Sequence, residues 1–498
     1  MKETSIDVKP EEFKAACLRL HKALRSPVMM FFAADDRSKA GVFTLRAVFL
    51  DREARGWSIV RLKVPALDPT FPSIAREIYS ANLFEREIKE MFGLEPAGNP
   101  DRRRLRLHEE VWPEGAYPLR KDFDPTRVAG GKGRYAFNQV AGEGIFEVPV
   151  GPVHAGIIGP GHFRFSAAGE PIIDLDIRLG FTHRGTEKLF ERKHPAEMLK
   201  LSECVAGDSA FAHSLAFCRA AEKIGGVAVP ERAVLLRAVY LELERLYNHA
   251  AGIGGIALDV GFSAPAAYAS LIKEAVHQIN DRLTGSRFLK GVNTIGGVLK
   301  DIDREQAAYL IAALSSIAQD FNELKDILLS SVSFMDRVET TGLLRQKTAE
   351  DLGVTGLAGR ASGIALDLRR GSRPYAAAGF KMATRQEGDV AARLDLRLDE
   401  FDESLRLIKV FLDQLPEGEF VSRPTQKEGS ALGEAEGWRG PVLYWLSLDS
   451  FGLIRRCKIV DPSVHNWQGL AYAVQGNIIP DFPVCNKSFD LSYPGNDL

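Results

Sequence analysis

The five cysteines are the side chains best suited to redox or metal chemistry, and their spacing argues against both. Cys17, Cys204, Cys218, Cys457 and Cys485 are scattered, and no two of them form a C-x-x-C pair. A zinc site, an iron-sulfur cluster or a disulfide framework normally draws on neighbouring thiols. We therefore predict no such site from sequence neighbours, and we expect each cysteine to be a small buried apolar side chain.

Histidines and one glutamate are the remaining candidates for proton chemistry. His154, His162 and His183 occur within thirty residues of one another, and each could serve a binding pocket. The alternative for each is a structural hydrogen bond to the backbone. Glu203 could carry protons if burial raised its pKa. The alternative for Glu203 is a solvated carboxylate at a helix start, where the helix dipole favours an acid.

Motifs of other enzyme classes are weak or absent. The glycines of GIGGIA (252–257) follow no predicted strand and lie in a helical pattern, so they fail the context of a dinucleotide-binding loop. The chain contains no G-x-x-x-x-G-K-[ST], no G-x-S-x-G and no H-E-x-x-H. Direct binding of NAD has no support in the sequence.

Composition restricts the class of protein. The 498 residues carry 64 basic and 66 acidic side chains, a formal charge of −2. This balance lacks the excess of positive charge that is typical of nucleic-acid-binding proteins. No stretch reaches the 18 or more apolar residues of a spanning helix, and the N-terminus lacks the apolar core of a signal peptide. We expect a globular, cytoplasmic protein of two domains.

The first third of the chain mixes helical and strand patterns. Apolar residues at helical spacing in EEFKAACLRLHKAL precede strand-like runs such as VFTLRAVFL, which predicts a small α+β domain over residues 1–98. Residues 73–98 are amphipathic and predict a helix that stops at Gly93. Residues 99–144 are rich in Pro, Gly and charge, and predict an extended linker lying on a partner or on the second domain.

From residue 145 onwards a few strand patterns lead into a mainly helical domain, residues 145–498. Its predicted helices cover about 185–200, 206–224, 231–252, 263–285, 303–333, 346–352 and 389–413. The predicted fold class is therefore α+β, with a small α+β domain joined to a mainly helical domain with minor β-structure.

Three ordered blocks resemble known families. ANLFEREIKEMFGLEP and YPLRKDFDP resemble the signature of the 30-kDa-type subunit of respiratory complex I. VPVGPVHAGIIGPGHFRF with RLGFTHRGTEKLFE, and later RASGIALDLRRGSRPY, are similar to the 49-kDa-type subunit and to large subunits of membrane-bound nickel-iron hydrogenases. The resemblance implies a fused subunit of a complex related to energy-converting hydrogenases. It also implies that the predicted helical domain has the fold of a nickel-iron hydrogenase large subunit.

The resemblance also implies where the nickel-iron centre would lie. In the hydrogenases two C-x-x-C pairs supply four thiolates, the first shortly before F-A-H-S, which is kept here with His213. The four cysteine positions fall on Ala206, Ser209, Ser492 and Gly495. Alanine and glycine offer no side-chain donor and serine is a hard one, so we expect no nickel and no hydrogenase activity. These positions line the predicted ancestral cavity.

Other roles implied by the resemblance stay open. In complex I relatives a tyrosine and a histidine face the quinone; their positions fall near Glu203 and Pro160, so neither donor is kept. Glu187 matches a glutamate that binds Mg²⁺ in hydrogenases, with an ion pair to Arg184 as the alternative. Arg439 resembles the arginine beside the hydrogenase active site. Three further retained residues could shape a cavity or form structural ion pairs, namely Arg360, Asp367 and Arg369.

The function implied is that of a large hydrophilic subunit that couples electron transfer to ion translocation. Whether the chain is itself an enzyme stays open: candidate catalytic residues are Glu203, His213 and Arg439, while a non-catalytic coupling subunit and a quinone-reducing subunit are the alternatives. We expect no cofactor in this chain, apart from quinone or Mg²⁺ as open options. The implied partners are an iron-sulfur protein of the small-subunit type and membrane subunits of the complex I or antiporter type. They would hold the chain on the inner face of the cell membrane.

Overall fold

The computed structural model of the chain describes residues 1–154, 158–425 and 427–498. Residues 155–157, which belong to the block VPVGPVHAGIIGPGHFRF, lie outside the described residues. The elements of the N-terminal third are β1 (Lys2–Val8), α1 (Pro10–Leu24), β2 (Val28–Asp36), α2 (Arg37–Ala40), β3 (Val42–Asp51), β4 (Gly56–Pro65), β5 (Thr70–Pro72), α3 (Asn82–Phe92) and β6 (Glu95–Ala97).

Four of these strands form one sheet in the order β1-β4-β3-β2. Strand β1 runs parallel to β4, and the other neighbours are antiparallel. The run VMMFFAA in β2 is buried on both faces, as a continuous apolar strand requires. Helix α3 packs against β2 and ends at Gly93, whose φ of 69° is the left-handed conformation of a glycine helix exit.

Helix α3 begins later than the sequence predicts. The amphipathic pattern indicates a helix from residue 73, whereas the structure starts it at Asn82. The buried Glu85 carboxylate explains the difference, because it accepts hydrogen bonds from Ser73 Oγ at 2.6 Å and from the Ile74 N–H at 2.7 Å. These bonds fold the preceding segment back onto the helix and satisfy its polar groups outside a helix.

The segment 99–144 contains one short 3-10 turn, Pro125–Arg127, and otherwise runs as an irregular strap. It lies on the second part of the chain, as one of the two predicted alternatives had it. Arg103 pairs with Asp176 at 2.8 Å, and Arg106 donates to the Asn496 carbonyl at 2.7 Å. The domain boundaries at 98/99 and 144/145 stay a prediction.

The second part of the chain is mainly helical and carries two three-stranded sheets. Its first elements are β7 (Ile145–Val150), β8 (His162–Ala168), β9 (Ile172–Arg178), α4 (Thr186–Leu189), α5 (Leu199–Ser202), α6 (Ala210–Gly225), α7 (Glu231–Asp259), α8 (Ser263–Thr284), β10 (Asn293–Thr294), β11 (Gly297–Val298) and α9 (Arg304–Ser330). The others are α10 (Val332–Val338), α11 (Gln346–Leu352), α12 (Gly356–Ala361), α13 (Arg373–Ala377), α14 (Val390–Asp413), β12 (Gly429–Glu436), β13 (Pro441–Leu448), β14 (Ile454–Val460), α15 (Pro462–Ala473), α16 (Phe482–Phe489) and α17 (Tyr493–Asp497).

Two of the predicted helices differ most from the observed ones. The helix predicted over 185–200 is divided into α4, a 3-10 turn at Pro195–Met198 and α5, because proline cannot continue a helix at that point. The helix predicted over 231–252 runs on to Asp259 through the glycines of GIGGIA. Gly254 permits this close packing, since a Cβ there would lie 2.9 Å from the Ala269 Cβ on α8.

The C-terminal sheet β12-β13-β14 joins the two parts of the chain. One face packs against α6, whereas Leu432, Leu443 and Trp445 belong to the same buried cluster as the N-terminal sheet. The rings of Phe32 and Trp445 lie 4.9 Å apart. The predicted α+β fold class is confirmed. Over the described residues, no helix is both long enough and apolar enough to cross a membrane.

Candidate functional site

The four positions that we predicted to correspond to hydrogenase cysteines lie at the starts of two helices. Ala206 and Ser209 occupy the turn before α6, and we call residues 206–209 the metal loop. Ser492 caps α17 by accepting from the Gly495 N–H at 3.0 Å, and we call residues 490–495 the closing segment. A Cβ at Gly495 would lie 2.6 Å from the Asp461 carboxyl carbon. Any larger residue at this position would therefore displace Asp461.

Arg439 fills the space between the metal loop and the closing segment. It lies between β12 and β13, and its two terminal nitrogens donate to the Asp208 carboxylate at 2.8 and 2.6 Å. It also donates to Ser209 Oγ at 3.3 Å and, through Nε, to the Asp490 carbonyl. Burial lowers the Arg439 pKa, but the Asp208 charge and hydrogen bond outweigh it, so the pKa is raised.

Asp208 is the principal site residue that sequence reasoning missed. It lies within the metal loop, between Ala206 and Ser209, but its partner Arg439 is 231 residues away along the chain, so the sequence contained no signal for the pair. Its side chain is 40% exposed, while that of Arg439 is 5% exposed, so the pair extends from the surface into the interior. A bidentate pair of this kind fixes the geometry of both partners.

His213, on α6, belongs to a second buried chain of polar groups. Its Nδ1 lies 3.0 Å from the Tyr444 hydroxyl and its Nε2 lies 3.0 Å from Asp461 Oδ2. The Ser463 N–H donates to the other Asp461 oxygen at 2.8 Å. Burial raises the pKa of Asp461, but the hydrogen bond and the charge of His213 lower it by more. The net result is a pKa below the usual value for an aspartate. Neither Tyr444 nor Asp461 was singled out from the sequence.

Glu203 is held by backbone rather than by other site residues. It follows α5, so the prediction of a helix-start carboxylate is wrong, and it is 5% exposed. Its Oε1 accepts the Gly291 N–H at 2.7 Å. Burial raises the Glu203 pKa, and this hydrogen bond counteracts part of the increase. Among the described residues, no hydrogen bond joins Glu203 to Arg439 or His213.

The three candidate histidines contact backbone carbonyls. His154 Nε2 lies 2.8 Å from the Gly161 oxygen, and His162 Nδ1 lies 3.3 Å from the Gly151 oxygen. His183 Nδ1 lies 2.7 Å from the Asp497 oxygen. These contacts match the structural alternative. Burial lowers the pKa of His162 and of His183, which favours neutral rings.

Glu187 lies in a buried group of charges where β14 meets α3 and the strap. Its two oxygens contact Arg456 at 2.7 Å and Lys458 at 3.1 Å, and the Ile459 N–H at 3.0 Å. Lys458 also pairs with Glu87, and Glu87 pairs with Arg106 at 2.6 Å. We call this group the seam cluster; it consists of Glu87, Arg106, Glu187, Arg456 and Lys458.

The seam cluster does not suit Mg²⁺. Burial raises the Glu187 pKa, but Arg456 and Lys458 outweigh it, so the acid is ionised and already neutralised by cations. No group of three or more His, Cys, Asp or Glu side chains in the described part of the chain could hold a metal. The alternative of an Arg184–Glu187 pair is wrong as well, because Arg184 donates to the Cys204 and Val205 carbonyls at 3.1 and 3.2 Å.

A third charged group lies between α7, α14 and β12, and we call it the arginine-acid cluster. Arg360 pairs with Glu400, and Arg369 pairs with Asp367 at 2.7 Å and with Glu242 at 3.2 Å. Structural ion pairing was one of the two predicted roles for Arg360, Asp367 and Arg369. The sequence did not indicate the partners that complete the cluster, namely Glu242, Arg245, His249, Glu400 and Glu436.

The residues at the metal loop and closing segment do not fit a nickel-iron centre. None of the four positions carries a thiol, and the soft ligands that such metals require are therefore missing. Cys204 is exposed, so the expectation of a buried side chain is wrong for this cysteine. Cys485 is buried and lies on α16 beside Gly342, apart from the loop. The guanidinium of Arg439 occupies the approach to Ser209 instead. We derive no metal chemistry from this site.

Two protein-family models match separate parts of the chain. Residues 6–128 match the model of the 30-kDa subunit of respiratory-chain NADH dehydrogenase, and residues 259–428 match that of its 49-kDa subunit.

Individual relatives cover most of the chain. Formate hydrogenlyase subunit 5 of Escherichia coli is 34% identical over 94% of this chain and 84% of its own length. An NADH-quinone oxidoreductase subunit of Phocaeicola vulgatus is 31% identical over 75% of this chain and 76% of its own length. Among solved structures, a chain of the membrane-bound sulfane sulfur reductase, an archaeal respiratory membrane complex, aligns with a TM-score of 0.66. It is 25% identical and covers 72% of this chain and 99% of its own.

Proposed function

Since the chain belongs to the family of fused complex I 30-kDa and 49-kDa type subunits, we propose that it serves as the large hydrophilic subunit of a membrane-bound oxidoreductase complex. In this proposal it joins an iron-sulfur protein of the small-subunit type to membrane subunits of the complex I or antiporter type. The clusters reside in the partner, and the complex lies on the inner face of the membrane.

The role we propose within that complex is coupling without a nickel-iron centre. The observation that carries it is the Arg439 bridge: one guanidinium contacts Asp208 of the metal loop and the Asp490 carbonyl of the closing segment. In the hydrogenases it resembles, these two segments are joined by the metal. Here a charge pair joins them. A change in the charge or protonation of one segment therefore changes the electrostatic energy of the other.

The experiment is a comparison of variants in the purified, membrane-reconstituted assembly. The iron-sulfur clusters are reduced chemically, their spectra are recorded, and ion movement into the vesicles is followed. We expect Asp208→Asn to reduce ion movement several-fold while cluster reduction proceeds at the wild-type rate. The matched control is Asp7→Asn on strand β1, which breaks an exposed pair with Arg61 on strand β4. Equal ion movement in Asp208→Asn and wild type contradicts the proposal.

Two further measurements separate the other candidate functions. Elemental analysis of the assembly is expected to find far less than one nickel per chain; a stoichiometric amount would point to an active hydrogenase. Titration with a quinone analogue is expected to leave the cluster spectra unchanged. If the analogue perturbs them and Glu203→Gln abolishes the effect, the chain is instead a quinone-reducing subunit with Glu203 as the proton donor.

A further inference from the structure

Three buried nitrogen atoms next to the Arg439 bridge have no hydrogen-bond partner in the described part of the chain. They are His249 Nδ1, Arg397 Nε and Trp438 Nε1. The three side chains are 0%, 1% and 2% exposed, respectively. A buried polar atom left unpaired is costly, and three such atoms on neighbouring side chains point to a bound group.

Arg397 lies against Gly252 on α7, and the other two residues are neighbours of this position. A Cβ at Gly252 would lie 2.6 Å from Arg397 Nε and 3.3 Å from Asp490 Oδ2. His249 is three residues earlier on the same face of α7. The Trp438 ring stands perpendicular to the His249 ring, with centroids 6.3 Å apart, and stacks on the Arg439 guanidinium at 3.9 Å. The three side chains that carry the unpaired atoms are therefore neighbours.

The hydrogen-bonding roles of the three atoms specify the ligand. Arg397 Nε and Trp438 Nε1 carry protons and can only donate. His249 Nε2 faces Glu400 Oε2 at 3.0 Å, and burial lowers the His249 pKa to about 4, so the neutral ring donates from Nε2 and leaves Nδ1 as an acceptor. A simple anion satisfies the two donors but not Nδ1. Water satisfies all three, because it accepts two hydrogen bonds and donates two.

We propose that ordered water binds between His249, Arg397 and Trp438, and that it connects Asp490 of the closing segment with the His249–Glu400 pair. Arg397 strengthens the case, since no carboxylate in the described residues lies within ion-pair distance of its guanidinium. The water solvates the buried Arg397 guanidinium and connects it to the Asp490 carboxylate by hydrogen bonds. The site adds to the proposed function a hydrogen-bonded link from the Arg439 bridge to the arginine-acid cluster.

The test is a structure of the full chain or its complex at a resolution that shows water, from a buffer that contains bromide. We expect a density peak within hydrogen-bond distance of Arg397 Nε and Trp438 Nε1 with no anomalous signal. A bromide anomalous peak at this position would replace water by an anion and overturn the proposal. Density showing the three nitrogens paired with protein atoms would also overturn it.

Two variants extend the test. Trp438→Phe keeps the ring but removes one donor, and we expect the peak to weaken or shift towards Arg397. The matched control is Trp467→Phe, which removes an equally buried indole N–H from a polar cavity of about 140 Å³ next to Tyr135 and Arg178. The control must leave the peak unchanged. A peak that weakens or shifts in both variants, or in neither, contradicts the assignment.

Discussion

The seam cluster and the metal-loop site both bury charge, but they surround it differently. In the seam cluster, Glu187 and Glu87 share Lys458 between them, and each acid has a second cation. At the metal loop a single guanidinium, Arg439, faces one carboxylate that is itself 40% exposed. The seam cluster is buried and joins two parts of the fold. The Asp208–Arg439 pair reaches the surface, where a bound ligand or partner could contact it.

The difference bears on what each region does. Enclosed ion pairs are costly to disturb, because removal of one partner leaves an unpaired charge in a medium of low polarity. When one member of an ion pair is partly exposed, water can replace its partner at a lower energetic cost. We therefore infer that the seam cluster mainly stabilises the fold, whereas the Asp208–Arg439 pair rearranges more readily. Substitutions in each region test this difference.

The largest expected effect is that of Lys458→Met in the seam cluster. The variant leaves Glu87 and Glu187 short of a shared cation at a site where Lys458 is 1% exposed. We expect the free energy of unfolding to fall by about 3–5 kcal/mol, measured by urea denaturation. The control Lys39→Met breaks an exposed pair with Glu428 and is expected to cost less than about 1 kcal/mol. Similar losses in both variants would show that water reaches the seam.

Asp208→Asn is expected to have the next largest effect. It removes the charge that faces Arg439 but keeps the shape of the side chain. Hydrogen bonds to charged groups contribute about 1.5–3 kcal/mol, and the exposure of Asp208 places the expected loss near the lower end, about 1.5 kcal/mol. Hydrogen exchange at the amides of residues 206–209 should accelerate in the variant. Unchanged exchange there would mean that Arg439 does not hold the loop.

A pH-dependent effect is expected from Glu244 on α7, which contacts the start of α6 directly after the metal loop. Its carboxylate accepts the N–H groups of Phe211 and Ala212 at 2.7 and 3.1 Å, beside Asp208 and Arg245. Burial raises the Glu244 pKa from 4.5 to about 8, although these hydrogen bonds oppose the increase. Between these two values the folded protein holds a proton that the unfolded chain has released, so stability falls as the pH rises through that window.

The measurement is the free energy of unfolding of wild type and Glu244→Gln from pH 5 to pH 9. We expect the wild type to lose stability relative to the variant by up to about 1.4 kcal/mol per pH unit until about pH 8, and no further above it. Glu436, whose pKa burial also raises to about 8, titrates in both proteins and cancels in the difference. Parallel curves would show that Glu244 is ionised throughout.

The sequence predicted the long helices well, because their apolar periodicity is local. Helices α8, α11 and α14 follow the predicted ranges to within a residue or so at each end. It predicted the start of α3 less well, because the hydrogen bonds from Ser73 and Ile74 to the Glu85 side chain keep the preceding segment out of the helix. The region around Pro195 was also missed, although the proline that interrupts the helix there is itself a local signal.

The candidate site was predicted in its positions but not in its contacts. The resemblance identified Ala206, Ser209, Ser492 and Gly495, and the structure brings both segments to Arg439. It gave no reason to select Asp208 or Asp461, because their partners are 231 and 248 residues away along the chain. Pairing over such separations depends on tertiary packing, which periodicity and spacing do not contain.

The smallest expected effect is that of Glu203→Gln. The amide oxygen of glutamine can accept the Gly291 N–H in place of Glu203 Oε1, and burial already disfavours the charged form of the acid by raising its pKa. We expect a change in the free energy of unfolding within about 0.5 kcal/mol at pH 7, measured by urea denaturation. Glu203→Ala, which removes the acceptor, is expected to cost about 1–3 kcal/mol because the Gly291 N–H loses its partner. If Glu203→Gln instead costs as much as Glu203→Ala, the carboxylate charge itself is required at this position, as we propose for Asp208.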